Sequence, residues 1–309
     1  MNAACFHRSS HLLELDLCEE DNHCPICQSM NRTIVTILQE DPVITLKQCQ
    51  NCFAVSASRL PTQEALESYY YSYYQSNEKK ITFDDPNRFA NHLFNTTYKH
   101  LLKSEELSIL DYGGGIGTIS IELGKRFRNF GISKVRITVV DYSQFSYINE
   151  SLDLEVKKYS TLSEVKDQEF DIIIASAILE HLPKPNVEIT CLFDLLSEGG
   201  IIYFRTPYVV PILLLFNKLS INFDFTYPGH IHDLGQAFWD SILKTFSLEK
   251  KLMILHSRPS IVETSFSIHF GRTLIAHLCK TPWHVVGNRW RYVGGWEVFI
   301  QKANLILNN

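Results

Sequence analysis

The sequence that decides the fold of this chain is Ile109-Leu110-Asp111-Tyr112-Gly113-Gly114-Gly115-Ile116-Gly117. Its first half predicts a short buried strand, and its glycines predict a tight loop that opens a helix. A second apolar run, residues 135–140, ends at another acid, Asp141. A strand, a glycine loop, a helix and a second strand ending at an acid form the layout of a nucleoside-binding βαβ unit.

The glycine loop suits a ligand that approaches the backbone closely. Glycine adopts the left-handed conformations that such a loop needs, and it has no Cβ to block the ligand. The spacing departs from the dinucleotide fingerprint, because Thr118 and Ser120 stand where a third glycine would be required. The pattern that fits instead is acid-x-G-x-G-x-G, made of Asp111, Gly113, Gly115 and Gly117.

Later parts of the chain continue the same architecture. Residues 170–175 predict a fourth parallel strand, which runs into Leu-Glu-His-Leu at positions 179–182. A helical stretch at residues 187–196 then leads to Gly199-Gly200 and to a strand at residues 201–205. The order of strands, loops and helices is that of a doubly wound α/β sheet.

In their order and spacing these motifs resemble the class I S-adenosylmethionine-dependent methyltransferases, over roughly residues 89–205. The resemblance implies an α/β fold with a doubly wound, mostly parallel, seven-stranded Rossmann-like sheet. It also implies S-adenosylmethionine as the cofactor, bound by the acid-glycine motif and by residues that follow the second and fourth strands. These additional expected cofactor residues are Asp141, Tyr142 and Ser176.

The N-terminal region carries two Cys-x-x-Cys knuckles, formed by Cys24, Cys27, Cys49 and Cys52. Four thiolates in this arrangement can surround a tetrahedral Zn²⁺ ion, and two strands at 33–38 and 43–47 would connect the knuckles as a ribbon. Two disulfides or redox-active knuckles are the alternatives. Because no secretion signal precedes the cysteines, we expect a cytoplasmic, reducing location, which favours structural zinc.

The sequence divides into an N-terminal arm, a zinc ribbon, a linker and a methyltransferase domain, at residues 1–20, 21–60, 61–88 and 89–309. The linker contains a tyrosine-rich segment, and the large domain has insertions at about 208–233 and 256–290. The first insertion follows the fifth strand, at the sheet edge where ligands bind, so we expect it to cover the acceptor. A helix at 236–246, a sixth strand at 247–255 and a core position for Cys191 are also predicted.

Composition limits the range of partners. The net charge is −5, so no overall basic field attracts nucleic acid. No apolar run is long enough to predict a membrane span. Within the ribbon the cations Arg32 and Lys47 are balanced by Glu40 and Asp41, which makes nucleic acid an unlikely partner there. The sequence does not determine the oligomeric state.

The resemblance to ribbon-bearing methyltransferases implies a small-molecule or carbohydrate acceptor of the sugar or natural-product type. An acceptor that carries a proton needs a base, and the candidates near the carboxyl ends of strands are His181, His230 and His232. Two other functions remain open at this stage. One is an RNA methyltransferase that docks RNA through the ribbon, and the other is a non-catalytic binding or scaffold protein that keeps the cofactor fold.

Overall fold

The computed structural model describes residues 8–75, 85–101, 105–142 and 154–303 of the 309-residue chain. Within these residues the chain forms one seven-stranded and one four-stranded sheet. The strands are β1 (Arg32–Glu40), β2 (Val43–Cys49), β3 (Val55–Ala57), β4 (Glu106–Tyr112), β5 (Lys134–Val140), β6 (Leu154–Tyr159), β7 (Phe170–Ser176), β8 (Leu196–Tyr208), β9 (His232–Asp233), β10 (Leu252–Pro259) and β11 (Gly294–Lys302). The helices are α1 (Gln63–Gln75), α2 (Pro86–Leu101), α3 (Thr118–Asn129), α4 (Pro185–Asp194), α5 (Val210–Lys218), α6 (Gln236–Lys250), α7 (Phe270–Lys280) and α8 (Trp283–Val286).

The seven-stranded sheet has the order β10-β11-β8-β7-β4-β5-β6. Strand β11 is antiparallel to both of its neighbours, and the other pairs are parallel. The middle parts of the central strands β4 and β7 are buried and mostly apolar because helices cover both faces of the sheet. The predicted doubly wound, mostly parallel, seven-stranded Rossmann-like fold is confirmed.

Each face of this sheet has its own apolar core. On one face α2 and α3 pack against the strands, and their buried side chains include Phe89, Leu93, Leu123 and Phe127. On the other face α4 and α6 contribute buried residues such as Phe193 and Trp239. The strand ends that carry the glycine loop and the Leu-Glu-His-Leu motif are therefore fixed by packing on both sides.

The four-stranded sheet contains the predicted ribbon hairpin and has the order β1-β2-β3-β9. Its last strand comes from far along the chain: Val55 pairs with Asp233 and Ser56 with His232. The segment expected to form a lid thus ends as an edge strand of the ribbon sheet. Its apolar residues, such as Ile231, pack in one cluster with Leu46 of the ribbon.

Some local expectations were wrong. The helix predicted to end at residue 246 continues to Lys250, where helix-forming residues extend it, and it ends at Lys251 in the left-handed conformation with φ of 51°. The strand predicted from 247 therefore begins only at Leu252. Cys191 is exposed, because α4 turns Ile189, Leu192 and Phe193 toward the core instead.

The N-terminal arm and the insertions can be compared with expectation where the structure describes them. The arm packs onto the ribbon through buried Leu12 and Leu17, and Leu17 forms a bridge to Pro61. The insertion expected from residue 256 begins later, because β10 continues to Pro259. None of the described helices combines the length and the apolar character that crossing a bilayer requires.

Candidate functional site

Asp111 lies at the carboxyl end of β4 and is almost completely buried. The Ser120 hydroxyl donates a hydrogen bond of 2.7 Å to its Oδ2 atom. Burial raises the pKa of Asp111 to about 6, a shift that the Ser120 hydrogen bond opposes and that nearby Asp141 increases. The carboxyl group therefore connects the start of the glycine loop to the first turn of α3.

The glycine loop has the conformation that its sequence predicts. Gly113, Gly115 and Gly117 all have φ between +59° and +75°, which side-chain-bearing residues rarely adopt. Gly114 is needed for another reason, because a Cβ there would lie 2.3 Å from the Asp111 carboxyl carbon. Positive φ at Gly113 and Gly115, together with the close approach of the Asp111 carboxyl group to Gly114, explains why three glycines occur in a row.

Asp141 follows β5 and faces the glycine loop. The Gly115 N–H donates a hydrogen bond of 2.8 Å to Asp141 Oδ2. Tyr142, the next residue, is largely exposed. Ser176 ends β7, and its hydroxyl is buried without a hydrogen-bond partner among the described residues. The structure thus places all the predicted cofactor residues at the carboxyl ends of β4, β5 and β7, a region that we call the candidate cofactor cleft.

Tyr70 of α1 connects this cleft to the Leu-Glu-His-Leu motif. Its ring lies 6.0 Å from the ring of Tyr142 and 6.2 Å from the ring of His181, measured between centroids. Its hydroxyl lies 3.0 Å from His181 Nδ1. Tyr70 of the tyrosine-rich segment therefore lies between Tyr142, a predicted cofactor residue, and His181, the first candidate base.

The hydrogen bonds of His181 define which of its nitrogens is basic. Nδ1 lies 2.5 Å from the carbonyl oxygen of Gly229, which can only accept a hydrogen bond. Nδ1 must therefore carry the proton in the neutral ring, and Nε2 is the nitrogen that can take up a further proton. Nε2 lies 3.9 Å from Glu180 Oε1.

Glu180 and His230 complete a cluster with His181. Glu180 is buried, its Oε2 atom has no hydrogen-bond partner among the described residues, and burial raises its pKa against the opposing effects of His181 and Arg205. The rings of His181 and His230 lie 5.0 Å apart. One ligand atom from each of the three residues lies within 4.8 Å of the others, so the cluster could also hold a divalent cation.

The structure places His232, the third candidate base, inside the protein. It is fully buried in β9. Its Nε2 atom lies 2.9 Å from the Leu182 carbonyl oxygen, to which it donates, and its Nδ1 atom accepts from the Ser56 hydroxyl at 2.8 Å. Both ring nitrogens are thus used to join the ribbon sheet to the Leu-Glu-His-Leu loop. We infer that His232 is structural and that the candidate bases are His181 and His230.

We expect His232 to make the protein sensitive to acid. Burial lowers its pKa from an ordinary 6.5 to about 4, so the unfolded chain binds the proton more tightly. His232 by itself should therefore lower the free energy of unfolding by about 3 kcal/mol as the pH falls from about 6.5 to about 4. Burial raises the pKa of Asp111 and Asp233, and these carboxyl groups act in the opposite direction, so the effect of His232 is measured as a difference between variants. Urea unfolding at a series of pH values should show that the wild type loses more stability, or gains less, than His232→Gln as the pH falls. An equal pH dependence in both would contradict this assignment.

The four cysteines of the two knuckles meet at one point of the ribbon. Cys24 and Cys52 Sγ lie 3.6 Å apart, and Cys27 and Cys49 Sγ lie 3.5 Å apart. These distances exclude S–S bonds, which are about 2 Å long. They are close to the separation of about 3.8 Å that follows from tetrahedral zinc–sulfur bonds of about 2.3 Å. The donor set therefore fits a closed zinc site.

The two knuckles share one backbone geometry. In each, the N–H four residues after the first cysteine donates to that cysteine's carbonyl oxygen, from Gln28 to Cys24 and from Phe53 to Cys49. Both donor residues have φ of 61°. The Asn51 N–H and side-chain amide also approach knuckle sulfurs, at 3.4 and 3.6 Å. Such donors stabilise thiolates and are typical of zinc knuckles.

Sequence reasoning missed three features of this site. Gly114 lay inside the glycine motif, but only the contact with Asp111 shows its role. Tyr70 belonged to the tyrosine-rich segment, whose sequence gives no partner for it. Glu180 belonged to the Leu-Glu-His-Leu motif, and its backbone carbonyl oxygen accepts a hydrogen bond from the Ile231 N–H. Its buried carboxyl group beside two histidines could not be read from spacing.

The family model described as "Methyltransferase domain" matches residues 78–246, which is more than half of the chain. The ubiquinone biosynthesis O-methyltransferase of Nitrosococcus oceani is 27% identical over 144 residues, covering 45% of this chain and 60% of that protein. The corresponding protein of Pasteurella multocida is 30% identical over 112 residues, covering 32% and 45%. The chain thus spans less than two thirds of either relative.

Solved structures with a similar arrangement include two methyltransferases. The plantazolicin methyltransferase BpumL in complex with SAH has 17% sequence identity and a TM-score of 0.48, covering 72% of this chain and 86% of that one. Coclaurine N-methyltransferase bound to N-methylheliamine and SAH has 15% identity and a TM-score of 0.43, covering 74% of each chain.

Proposed function

Because this chain belongs to the family described as "Methyltransferase domain", we propose that it transfers a methyl group from S-adenosylmethionine to a hydroxyl group of a small organic acceptor. The observation that carries the proposal is the position of Tyr70, whose ring contacts both Tyr142 of the cofactor cleft and His181. S-adenosylmethionine in the cleft and His181 on the neighbouring loop would thus both reach the same acceptor hydroxyl group.

In this proposal the chain's own residues hold the donor in three ways. The glycine loop brings the backbone close to the cofactor, and Asp111 fixes the loop from behind through the Ser120 hydroxyl. The Asp141 carboxylate is positioned by the Gly115 N–H and accepts hydrogen bonds from the ribose hydroxyls. When bound, S-adenosylmethionine supplies an already activated methyl group. The protein then needs only to orient the acceptor, which can lower the barrier by about 7–11 kcal/mol, and to remove its proton.

His181 is the residue that we propose for proton removal. The Gly229 carbonyl oxygen fixes its tautomer, so Nε2 can accept the proton of the acceptor hydroxyl. Buried Glu180, whose Oε1 atom is 3.9 Å away, stabilises the resulting charged ring. A base at this position suits a hydroxyl, since an amine acceptor can present a lone pair without prior deprotonation. The likeness to O-methyltransferases of ubiquinone biosynthesis supports the same acceptor group.

The small-molecule or carbohydrate class of acceptor is favoured over RNA by the arrangement of the ribbon. Strand β3 pairs with β9, and the Arg32 guanidinium donates to carbonyl oxygens of Ser56 and Ala57. The Arg32 guanidinium thus serves contacts within the chain, and the other two cations of the ribbon, Lys47 and Arg59, are paired with Glu20 and Glu14. A non-catalytic scaffold is disfavoured because a buried carboxylate beside two histidines costs stability without a catalytic use.

We expect Asp141→Ala to weaken binding of S-adenosylmethionine by about 1–3 kcal/mol, the usual effect of losing a hydrogen bond to a charged group. Removal of the carboxylate takes away both the ribose acceptor and the partner of the Gly115 N–H. Isothermal titration calorimetry measures the change. Asp167→Ala, at an exposed position outside the cleft, is the matched control and should bind normally. Unchanged affinity in Asp141→Ala would remove this residue from the site.

The function itself is tested with a methyl-labelled donor and a panel of phenols, catechols and sugars. Label should move to an acceptor oxygen and be located there by mass spectrometry. Label found on nitrogen or carbon would contradict the choice of a hydroxyl acceptor. Label found in added RNA, with no small molecule modified, would instead support the RNA methyltransferase alternative.

A further inference from the structure

Residues 264–296, which run from shortly after β10 into the first three residues of β11, have an unusual composition. They include no aspartate or glutamate and four lysine or arginine residues, in a chain whose net charge is −5. The acids directly on either side, Glu263 and Glu297, are paired with Lys280 and Arg258. This stretch therefore carries a local excess of positive charge. It includes α7 and α8. We call residues 264–296 the basic segment. The proposed function above uses none of its residues.

Helix α7 of the basic segment turns its apolar side outward. Phe270, Leu274 and Leu278 are spaced four residues apart and therefore share one face of the helix. They are 66%, 41% and 62% exposed, and Ile275 beside them is 64% exposed. Phe266 extends this surface, with its ring centroid 5.6 Å from that of Phe270. In a helix that only packs against its own protein, such residues face the core.

The opposite face of α7 anchors the helix through polar groups. Thr273 and Lys280 are its buried residues. The Lys280 ammonium group donates to the Ser260 carbonyl oxygen and to Glu263 Oε2, the latter at 3.0 Å. The helix is thus held by an ion pair while its apolar side remains exposed. A partner can therefore contact that side without any rearrangement of the fold.

We propose that the basic segment binds the surface of an anionic lipid bilayer. An amphipathic helix that lies in the plane of the membrane buries its apolar face among the acyl chains, while neighbouring cations contact the headgroups. Exposed Arg289 and Arg291 follow α8 and supply such cations, and Arg272 lies on α7 itself. The contact would be peripheral, since no described helix has the length and apolar character of a membrane span.

The positive charge of the basic segment favours an anionic bilayer over a second copy of the chain as its partner. A two-fold symmetric dimer through this surface would place the same patch on both sides of the interface. The arginines of one copy would then lie near those of the other, and the basic segment has no acidic residue to pair with them. An anionic bilayer presents negative charge across the whole surface and buries the apolar face as well.

Vesicle co-sedimentation of the full chain tests the proposal. Vesicles of phosphatidylcholine with about one third phosphatidylglycerol should bind the protein, and added salt or pure phosphatidylcholine should greatly reduce binding. Ile275→Ser should weaken binding by about tenfold, because it removes apolar contact with the bilayer. Replacing Arg289 and Arg291 by glutamine should weaken it by about fivefold for each lost charge.

The control is Ile34→Ser on β1, since Ile34 is 65% exposed and lies outside the basic segment. It should bind vesicles like the wild type, and circular dichroism should show that all variants are folded. Absence of binding to anionic vesicles would overturn the proposal, and so would equal effects of Ile275→Ser and Ile34→Ser. A dimer in analytical ultracentrifugation that dissociates in Ile275→Ser, without vesicle binding, would assign the surface to a second copy instead.

Discussion

Replacing His181 by alanine is expected to lower turnover by about 10²–10⁴-fold, the usual effect of losing a general base. Affinity for S-adenosylmethionine should stay almost unchanged, because the acid-glycine motif that holds the cofactor does not depend on the imidazole. Turnover depends on His181 because the Gly229 carbonyl oxygen keeps the ring proton on Nδ1. The free Nε2 atom then takes up the proton of the acceptor hydroxyl group. Single-turnover rates and calorimetric cofactor affinity, measured on the same preparation, separate the two effects.

Three variants sharpen this test. His100→Ala, at an exposed position of α2, is the matched control and should keep full turnover. Tyr70→Phe removes the hydroxyl that lies 3.0 Å from His181 Nδ1 and should lower turnover less than His181→Ala does. His230→Ala should also lower turnover, although His181 remains the base in that variant. Full activity in His181→Ala would contradict the assignment and leave His230 as the candidate base.

Turnover in His181→Ala would also fall if Glu180, His181 and His230 held a divalent cation. A bound cation favours loss of a hydroxyl proton, and the substitution would remove one of its ligands. Treatment with a chelator distinguishes the two cases. Turnover that survives chelation supports the base. Turnover that disappears and returns on addition of magnesium or manganese would show that His181 acts as a ligand. Removal of zinc from the knuckle cysteines would also lower turnover, but magnesium or manganese would not restore it there, because neither favours thiolate ligands.

The glycine loop and the cysteine knuckles could be predicted because each is local in sequence. The loop from Gly113 to Gly117 needs particular backbone conformations, and the sequence shows the residues that allow them. A knuckle brings its two thiolates together within a single turn. The central parallel strands also followed from the sequence, because they are continuous apolar runs, whereas the number of seven strands was implied by the resemblance to class I methyltransferases.

The contacts that build the candidate acceptor site are not local. Tyr70 meets His181 across 111 residues, and His232 meets Ser56 across 176. No residue type or spacing near either partner indicates the other one. The expected lid illustrates this limit: its histidines were equivalent in sequence, yet β9 pairing buries His232 in the ribbon sheet while His230 lies against His181.

The pairing of β3 with β9 also determines what loss of zinc should do. Cys24→Ser is expected to abolish zinc binding and to unfold the ribbon, since structural zinc contributes about 10–16 kcal/mol to the folding of small zinc modules. The effect should spread along the chain. His232 would lose the Ser56 hydroxyl, and the segment that holds His230 and the Gly229 carbonyl oxygen would lose its attachment to the ribbon sheet. Turnover should therefore fall together with zinc content.

Cofactor binding should survive the same change, because the strands that lead to Asp111 and Asp141 pack on the core under α2 and α3, whose buried residues all come from the large domain. Metal analysis by mass spectrometry, calorimetric affinity and turnover are measured on Cys24→Ser and on Cys191→Ser, whose cysteine is exposed on α4. The Cys191→Ser control should keep one zinc and full activity. Metal-free wild-type protein prepared under reducing conditions would contradict the zinc site. Full turnover in zinc-free Cys24→Ser would show that the ribbon does not position the histidines, since the β3–β9 contact would then be dispensable for the reaction.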